Sequence, residues 1–183
     1  MKLFAAATSA APAEETTAGG GGDCEPIGCN FETDTCSYTA EDVEGTGWKQ
    51  LSADDPKVQN NDVGAPPSPD GNYAATEADK QQSLRMMVEN LPPGQEGNQL
   101  QLLRYEATDG CELKVCFDEA ESQCESLSPV GVTADDLEWT EVQVPLPADA
   151  TVLIFVCDNT GNYFGACGVD QITILDVNSE SLC

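Results

Sequence analysis

Six of the chain's nine cysteines fall into three close pairs, and this spacing constrains the fold more than any other feature. Cys29 and Cys36 are seven residues apart, Cys116 and Cys124 eight, and Cys157 and Cys167 ten. Each pair flanks a polar or glycine-containing stretch suited to a hairpin or a corner. Cysteines placed this way read as local staples formed in an oxidising compartment. Closing such loops contributes about 2–3 kcal/mol each on the chain-entropy model. Zinc knuckles need Cys-x2-Cys, a spacing that does not occur in the chain. Cys24, Cys111 and Cys183 remain, and the odd total leaves one sulfur as a buried thiol or a link to another chain.

The charge excludes further classes. Of 183 residues, 33 are Asp or Glu, 7 are Lys or Arg and none is His, so the formal net charge is −26. Without His there is no Ser-His-Asp triad, no Cys-His dyad and no His-ligated zinc. An acidic surface repels phosphate backbones and anionic headgroups, which argues against nucleic acid and membrane-surface partners. No apolar run reaches 18 residues, so no helical span is expected. Among 33 acids any catalytic carboxylate pair can be imagined, so such pairs carry no signal. Asp54-Asp55 and Asp135-Asp136 read as loop residues and caps. No Gly-x-Ser-x-Gly elbow is present, and the chain is not expected to be an enzyme.

Residues 1–23 are low in complexity, rich in Ala, Thr and Glu and ending in Gly19–Gly22. They read as a signal-like, flexible lead: Lys2 is followed by apolar Leu3–Ala7, with Ala10 or Ala13 as cleavage points. From Cys24 to Cys183 no second linker interrupts the chain, so residues 24–183 form one domain. No Asn-x-Ser/Thr sequon occurs, so no N-glycosylation is expected.

Period-two patterns mark strands in that domain. Val142, Val144 and Leu146 alternate with Glu141, Gln143 and Pro145. In Cys111–Phe117 the inward residues are Leu113, Val115 and Phe117, and the outward ones are Glu112, Lys114 and Cys116. Val152–Val156 is continuously apolar, as in a central strand covered on both sides. Ile172 and Ile174 mark a further strand. Less regular stretches are Ile27–Glu32, Thr46–Leu51, Tyr73–Glu77, Ser83–Glu89 and Gln99–Glu106. Thr76–Val88 is the one helix-length stretch, but it lacks a 3.6 period and its second half reads as strand. About nine short strands, separated by clusters such as Pro92-Pro-Gly94, Thr108-Asp-Gly110 and Asn159-Thr-Gly-Asn162, imply an all-β sandwich.

Two segments resemble a known family. Cys29-Asn-Phe-Glu, followed by Cys36-Ser-Tyr38, is similar to the opening of a MAM domain, the module of meprin, neuropilin and receptor phosphatase mu. Trp48 falls where that family often has Trp. Gly168-Val-Asp-Gln-Ile172 is similar to its Gly-x-Ala-Leu-Asp-Asp-Ile signature, shortened and with one acid replaced. The middle of the chain departs from the pattern, with Leu102-Leu-Arg-Tyr105 and Gly71-Asn-Tyr73 at the family's aromatic steps. Nine cysteines also exceed the usual four. The variant resembles secreted invertebrate members more than receptor ectodomains.

The resemblance implies a disulfide-stapled jelly-roll β-sandwich of two antiparallel sheets, and a secreted, non-enzymatic protein–protein interaction or adhesion module. It implies an extracellular protein partner, with homo-oligomerisation among the modes open to such modules. It also implies a Cys29–Cys36 disulfide. Family members usually bond the terminal cysteine, here Cys183, to a mid-chain one, here Cys111, which leaves Cys24 odd. The alternative is a clamp between Cys24 and Cys183. Cys111, on the inward face of its strand, is then a buried thiol. Both remain open, with the clamp preferred.

Two candidate ligand sites compete with structural roles for the same residues. Jelly-roll relatives often hold one structural cation between the first and last strands. The matching positions are Glu32 and Asp170, with Asp70 of the proline-rich loop within approach, and hard carboxylate oxygens suit calcium. The competing reading is that Glu32 and Asp170 cap loops. Sugar-binding sandwiches present aromatic platforms, and Tyr163-Phe164 sits inside the Cys157–Cys167 loop. That motivates a lectin-like glycan-binding module as the alternative function. An acidic, cation-binding matrix component is a third reading.

Overall fold

In the computed structural model the described residues are 26–41, 46–52, 54–55, 68, 71–107, 110–128 and 138–182. Ten strands follow in order: β1 (Thr39–Ala40), β2 (Lys49–Leu51), β3 (Tyr73–Ala78), β4 (Gln82–Glu89), β5 (Gln99–Glu106), β6 (Cys111–Cys116), β7 (Cys124–Ser126), β8 (Thr140–Pro145), β9 (Val152–Asn159) and β10 (Gly165–Leu175). They form two five-stranded sheets, β1-β4-β9-β6-β7 and β2-β3-β10-β5-β8. Every pairing is antiparallel. The molecule is a jelly-roll β-sandwich. No helix among the described residues is long and apolar enough to cross a membrane.

The core lies between the sheets. Leu84, Met86, Leu113, Val115, Leu153 and Phe155 of the first sheet meet Leu100, Leu102, Val144, Val169 and Ile174 of the second. Phe31, Tyr38 and Trp48, from the N-terminal segments, close the same core. The Tyr38 hydroxyl donates to Ile27 O at 2.7 Å, and the Trp48 indole N–H donates to Leu84 O at 3.2 Å. Each buried ring thus places its polar atom on a backbone acceptor.

The continuous apolar run in β9 has a direct cause. Leu153, Phe155 and Cys157 enter the main core, whereas Val152, Ile154 and Val156 pack on the outer face with Cys116, Met87 and Cys124. The Cys116–Cys124 disulfide joins β6 to β7 within that outer cluster. Cys116 therefore sits on the outer face, as the alternation requires, yet it is fully buried, because β7 and the β9 side chains cover it.

Other expectations change. Ile27–Glu32 is no strand: it contributes one isolated bridge, Cys29 to Ile172, and Phe31 has a left-handed φ of 54° that breaks an extended run. Thr46–Leu51 yields only the three residues of β2. Thr76–Val88 divides into β3, a turn and β4, with no helix. Two short edge strands, β1 and β7, escaped the pattern because two or three residues carry no periodicity. In β10, Cys167 and Val169 face the core, and so do Ile172 and Ile174, which a strict period of two forbids. A register shift between Asp170 and Thr173, with Gln171 at φ 49°, switches the parity.

Candidate functional site

The structure contains three disulfides among the described residues: Cys29–Cys36, Cys116–Cys124 and Cys157–Cys167. Cys111 is free and buried, so the Cys111–Cys183 pairing is not made. Cys24 and Cys183, the proposed clamp, lie outside the described residues, as does the 1–23 lead.

Tyr163 and Phe164 lie in the β9–β10 connection, at one end of the sandwich. They are 79% and 64% exposed, and with Val177 they are the exposed large apolar side chains among the described residues. The loop carrying them is anchored at its base. Cys157–Cys167 joins the two strands that lead into it, and those strands belong to different sheets. Asn159, the last residue of β9, is 1% exposed. Its Nδ2 donates to Tyr163 O at 2.7 Å, Ala78 O at 3.1 Å and Asp79 O at 3.2 Å, while its Oδ1 accepts Gly161 N–H at 2.9 Å. One side chain therefore ties the aromatic loop to the β3–β4 turn. Thr160 N–H donates to Gly110 O at 2.8 Å, which joins the start of β6 to the same end. The sequence reads Asn159 as the start of a turn cluster, whereas it is the last residue of β9. The signal was there: an amide at the end of an apolar run needs buried partners.

Beneath this loop lies a cluster of sulfur. Cys111 Sγ is 3.4 Å from Cys157 Sγ and 3.5 Å from Cys167 Sγ. Gly165 makes the space, since a Cβ there would meet Cys111 Sγ at 2.7 Å. Burial, followed by the charges of Glu106 and Asp158, pushes the Cys111 thiol up to about 12. This thiol is protonated at neutral pH.

Glu32 lies against Gly71 and Asp170 against Ser68. Asp170 is buried; its Oδ2 accepts the Ser68 hydroxyl at 2.5 Å and its Oδ1 accepts Gln171 N–H at 2.7 Å. The Glu32 carboxylate packs against Gly71 and accepts Asn72 N–H at 3.3 Å. Ser68 and Gly71 are bridge partners, so the contacts of the two acids adjoin. These donors are hard oxygens of the kind calcium takes. No three acidic side chains converge at metal-ligand distance among the described residues. Asp70 lies outside them.

A second aromatic group covers the outer face of the second sheet. Trp139 packs edge-on to Tyr73, with centroids 5.1 Å apart, and tilted against Tyr105 at 5.7 Å. Gly168 admits the indole, because a Cβ there would lie 2.7 Å from Trp139 Cη2. Burial first, then the charges of Asp55 and Tyr105, push the Tyr73 phenol up to about 12.

Solved structures with a similar fold include adhesin domains and a xylanase fragment. The K1 cleaved adhesin domain of Lys-gingipain from Porphyromonas gingivalis W83 is 16% identical at a TM-score of 0.55, over 82% of this chain and 97% of that one. The K2 cleaved adhesin domain of Lys-gingipain is 11% identical at 0.51, over 80% and 96%. A Clostridium thermocellum xylanase 10B fragment, with CBM22-1 and GH10 modules and bound xylohexaose, is 14% identical at 0.50; this chain spans 27% of it and is itself covered to 81%. At these identities the likeness is one of fold. No curated protein sequence matches the chain. The family model of the MAM domain, meprin/A5/mu, matches residues 29–183, and the chain belongs to that family. MAM domains are extracellular adhesion-type modules.

Proposed function

We propose that this MAM domain is a secreted, non-enzymatic protein–protein interaction and adhesion module that engages its partner through the β9–β10 loop. The observation that carries the reading is the exposed Tyr163-Phe164 pair on a loop held by a disulfide and by Asn159. A rigid aromatic anchor loses little conformational entropy on binding, and aromatic residues dominate binding hot spots. Nearby described cations on the first sheet are engaged. Arg85 pairs with Glu121 and Glu41, and Lys114 pairs with Asp158. Tyr163 and Phe164 are thus adjacent members of the three exposed large apolar side chains among the described residues.

The second reading is a lectin-like glycan-binding module. The same ring pair favours it, since exposed aromatic faces stack on sugars, and a xylanase fragment that shares this fold over part of its length was solved complexed with xylohexaose. One structural calcium ion at Asp170, Ser68 and Glu32 is also proposed, as a brace between the N-terminal segment and β10. Its role is stability, and it would show as a higher Tm with calcium than with chelator.

The test is light scattering across a concentration series, alongside a glycan array, for wild type and for Tyr163→Ala/Phe164→Ala. Substituting exposed rings changes folding stability by less than about 0.5 kcal/mol. Self-association lost in the variant supports adhesion. Saturable glycan binding lost in the variant supports the second reading. Either activity persisting unchanged removes the loop from the site.

A further inference from the structure

The Cys111 thiol touches both sulfurs of a disulfide that holds the two sheets together beneath the aromatic loop. We infer that Cys111, Cys157 and Cys167 form an intramolecular thiol–disulfide exchange site, in which the inter-sheet bond moves between Cys157–Cys167 and Cys111–Cys167.

The register selects that product. Cys111 pairs with Asn159 and Cys157 with Leu113, so Cys111 and Cys157 are diagonal neighbours on one sheet. Cβ atoms in that relation are too far apart for a relaxed disulfide. Cys167 lies across the sandwich in β10, and Cys111 is packed onto the same strand: a Cβ on Gly165, two residues from Cys167, would meet Cys111 Cβ at 2.8 Å. Cys111 and Cys157 are thus two first-sheet sulfurs competing for one second-sheet sulfur.

The step balances without an external oxidant. Cys111 loses its proton to solvent, and its thiolate attacks Cys167 Sγ. The new S–S bond forms as the Cys157–Cys167 bond breaks. The electron pair leaves on Cys157 Sγ, which takes up a proton.

Two features hold the exchange off in the closed state. Cys111 is almost equidistant from the two sulfurs, so it lies beside the S–S bond and off the axis along which a thiolate attacks. The thiol is also buried and protonated. Opening of the loop end releases both, by admitting water and letting the Cys111 side chain swing into line. After exchange, the β9 side of the Tyr163-Phe164 loop is no longer closed by its own ten-residue staple. The site therefore couples loop opening to a covalent change at its base, whatever the loop binds.

The experiment incubates the wild-type chain in a urea series below its unfolding midpoint. Samples are quenched with N-ethylmaleimide under denaturing acid conditions, and the modified cysteine and the crosslinked peptides are mapped by mass spectrometry. Label migrating from Cys111 to Cys157, with a Cys111–Cys167 peptide appearing, is the expected result. Label remaining on Cys111 alone up to global unfolding overturns the proposal. A second variant guards against misreading. Cys157→Ser, oxidised with glutathione disulfide, is expected to hold a Cys111–Cys167 bond, whereas Cys167→Ser is expected to leave Cys111 and Cys157 both alkylated. A Cys111–Cys157 bond in Cys167→Ser would overturn the assigned direction.

Discussion

Replacing Asn159 by Ala tests whether one side chain fastens the aromatic loop to the sandwich. The two Nδ2 hydrogens are shared among three carbonyls, and Oδ1 accepts one N–H, so about three full hydrogen bonds are lost at a site 1% exposed. At about 1 kcal/mol net each, the loss is about 3 kcal/mol. For a domain of this size that lowers Tm by about 6–12 °C. Urea unfolding measures it directly, and hydrogen exchange should show the loss of protection concentrated around 159–164. Asn159→Asp sharpens the test. The carboxylate keeps the Gly161 bond but turns both donors into an acceptor facing three carbonyls. Its folded pKa must then rise above the unfolded value of about 3.9. A raised folded pKa contributes stability fully present below the unfolded value and lost as pH rises through the folded one. Asn159→Asp should therefore be less stable than Asn159→Ala at pH 7 and recover against it at pH 3. A loss below about 0.5 kcal/mol for Ala, or wild-type stability for Asp at pH 7, would mean that water satisfies these carbonyls and the anchoring argument fails.

Glu106 gives a second pH-linked outcome. Its burial outweighs the favourable contacts with the Ser128 hydroxyl, Leu113 N–H and Arg104, and leaves its carboxyl above the ordinary value. Because the folded pKa is raised, stability is lost as pH rises from about 4.3 through it. Glu106→Gln should raise Tm at pH 7, and the gain should vanish by about pH 4; an equal effect at both pH values refutes the assignment. Gly168→Ala should cost about 1–3 kcal/mol by driving a Cβ into the Trp139 ring. In a Trp139→Ala background the cost should fall below about 0.5 kcal/mol, and equal costs by urea unfolding in both backgrounds would show that the clash lies elsewhere.

The fold was legible where two periods agreed with the chemistry of the chain. β6 and β8 alternate cleanly because each has one face toward the core. β9 announced itself by losing alternation, since the Cys116–Cys124 staple covers its far side. The paired cysteines were readable because short loops close locally. What sequence could not show was any relation that depends on parity switching or on long-range placement. The bulge at Gln171 reverses which β10 residues face inward, so no single alternation runs from Gly165 to Leu175. Cys111 reads as a buried thiol in one strand. Only the folding of β6 beside β9 and under β10 brings its sulfur onto the Cys157–Cys167 bond. Glu32 and Asp170 lie 138 positions apart, yet they contact Asn72 and Ser68, and Ser68 bridges to Gly71. Tyr163-Phe164 was visible as a ring pair in a stapled loop, but nothing local distinguishes an exposed pair from one folded over a sheet edge.

A net charge of −26 separates encounter from residence in any complex this domain makes. At 0.1 M salt the screening length is about 10 Å, so two copies repel before their loops meet, while a cationic partner is drawn in. Raising salt from about 0.05 to 0.5 M should therefore speed association of two copies by about tenfold or more, and slow association with a cationic partner by a similar factor. Neither change touches the aromatic contact, whose burial sets the lifetime. Tyr163→Ala/Phe164→Ala should accordingly raise the dissociation rate and leave the salt dependence of association intact. Surface plasmon resonance of the domain against itself reads both rates in one series. If the variant alters only the association rate, the rings are not the anchor. If salt alters only dissociation, charge acts inside the interface, and the partner must present cations to the loop end itself.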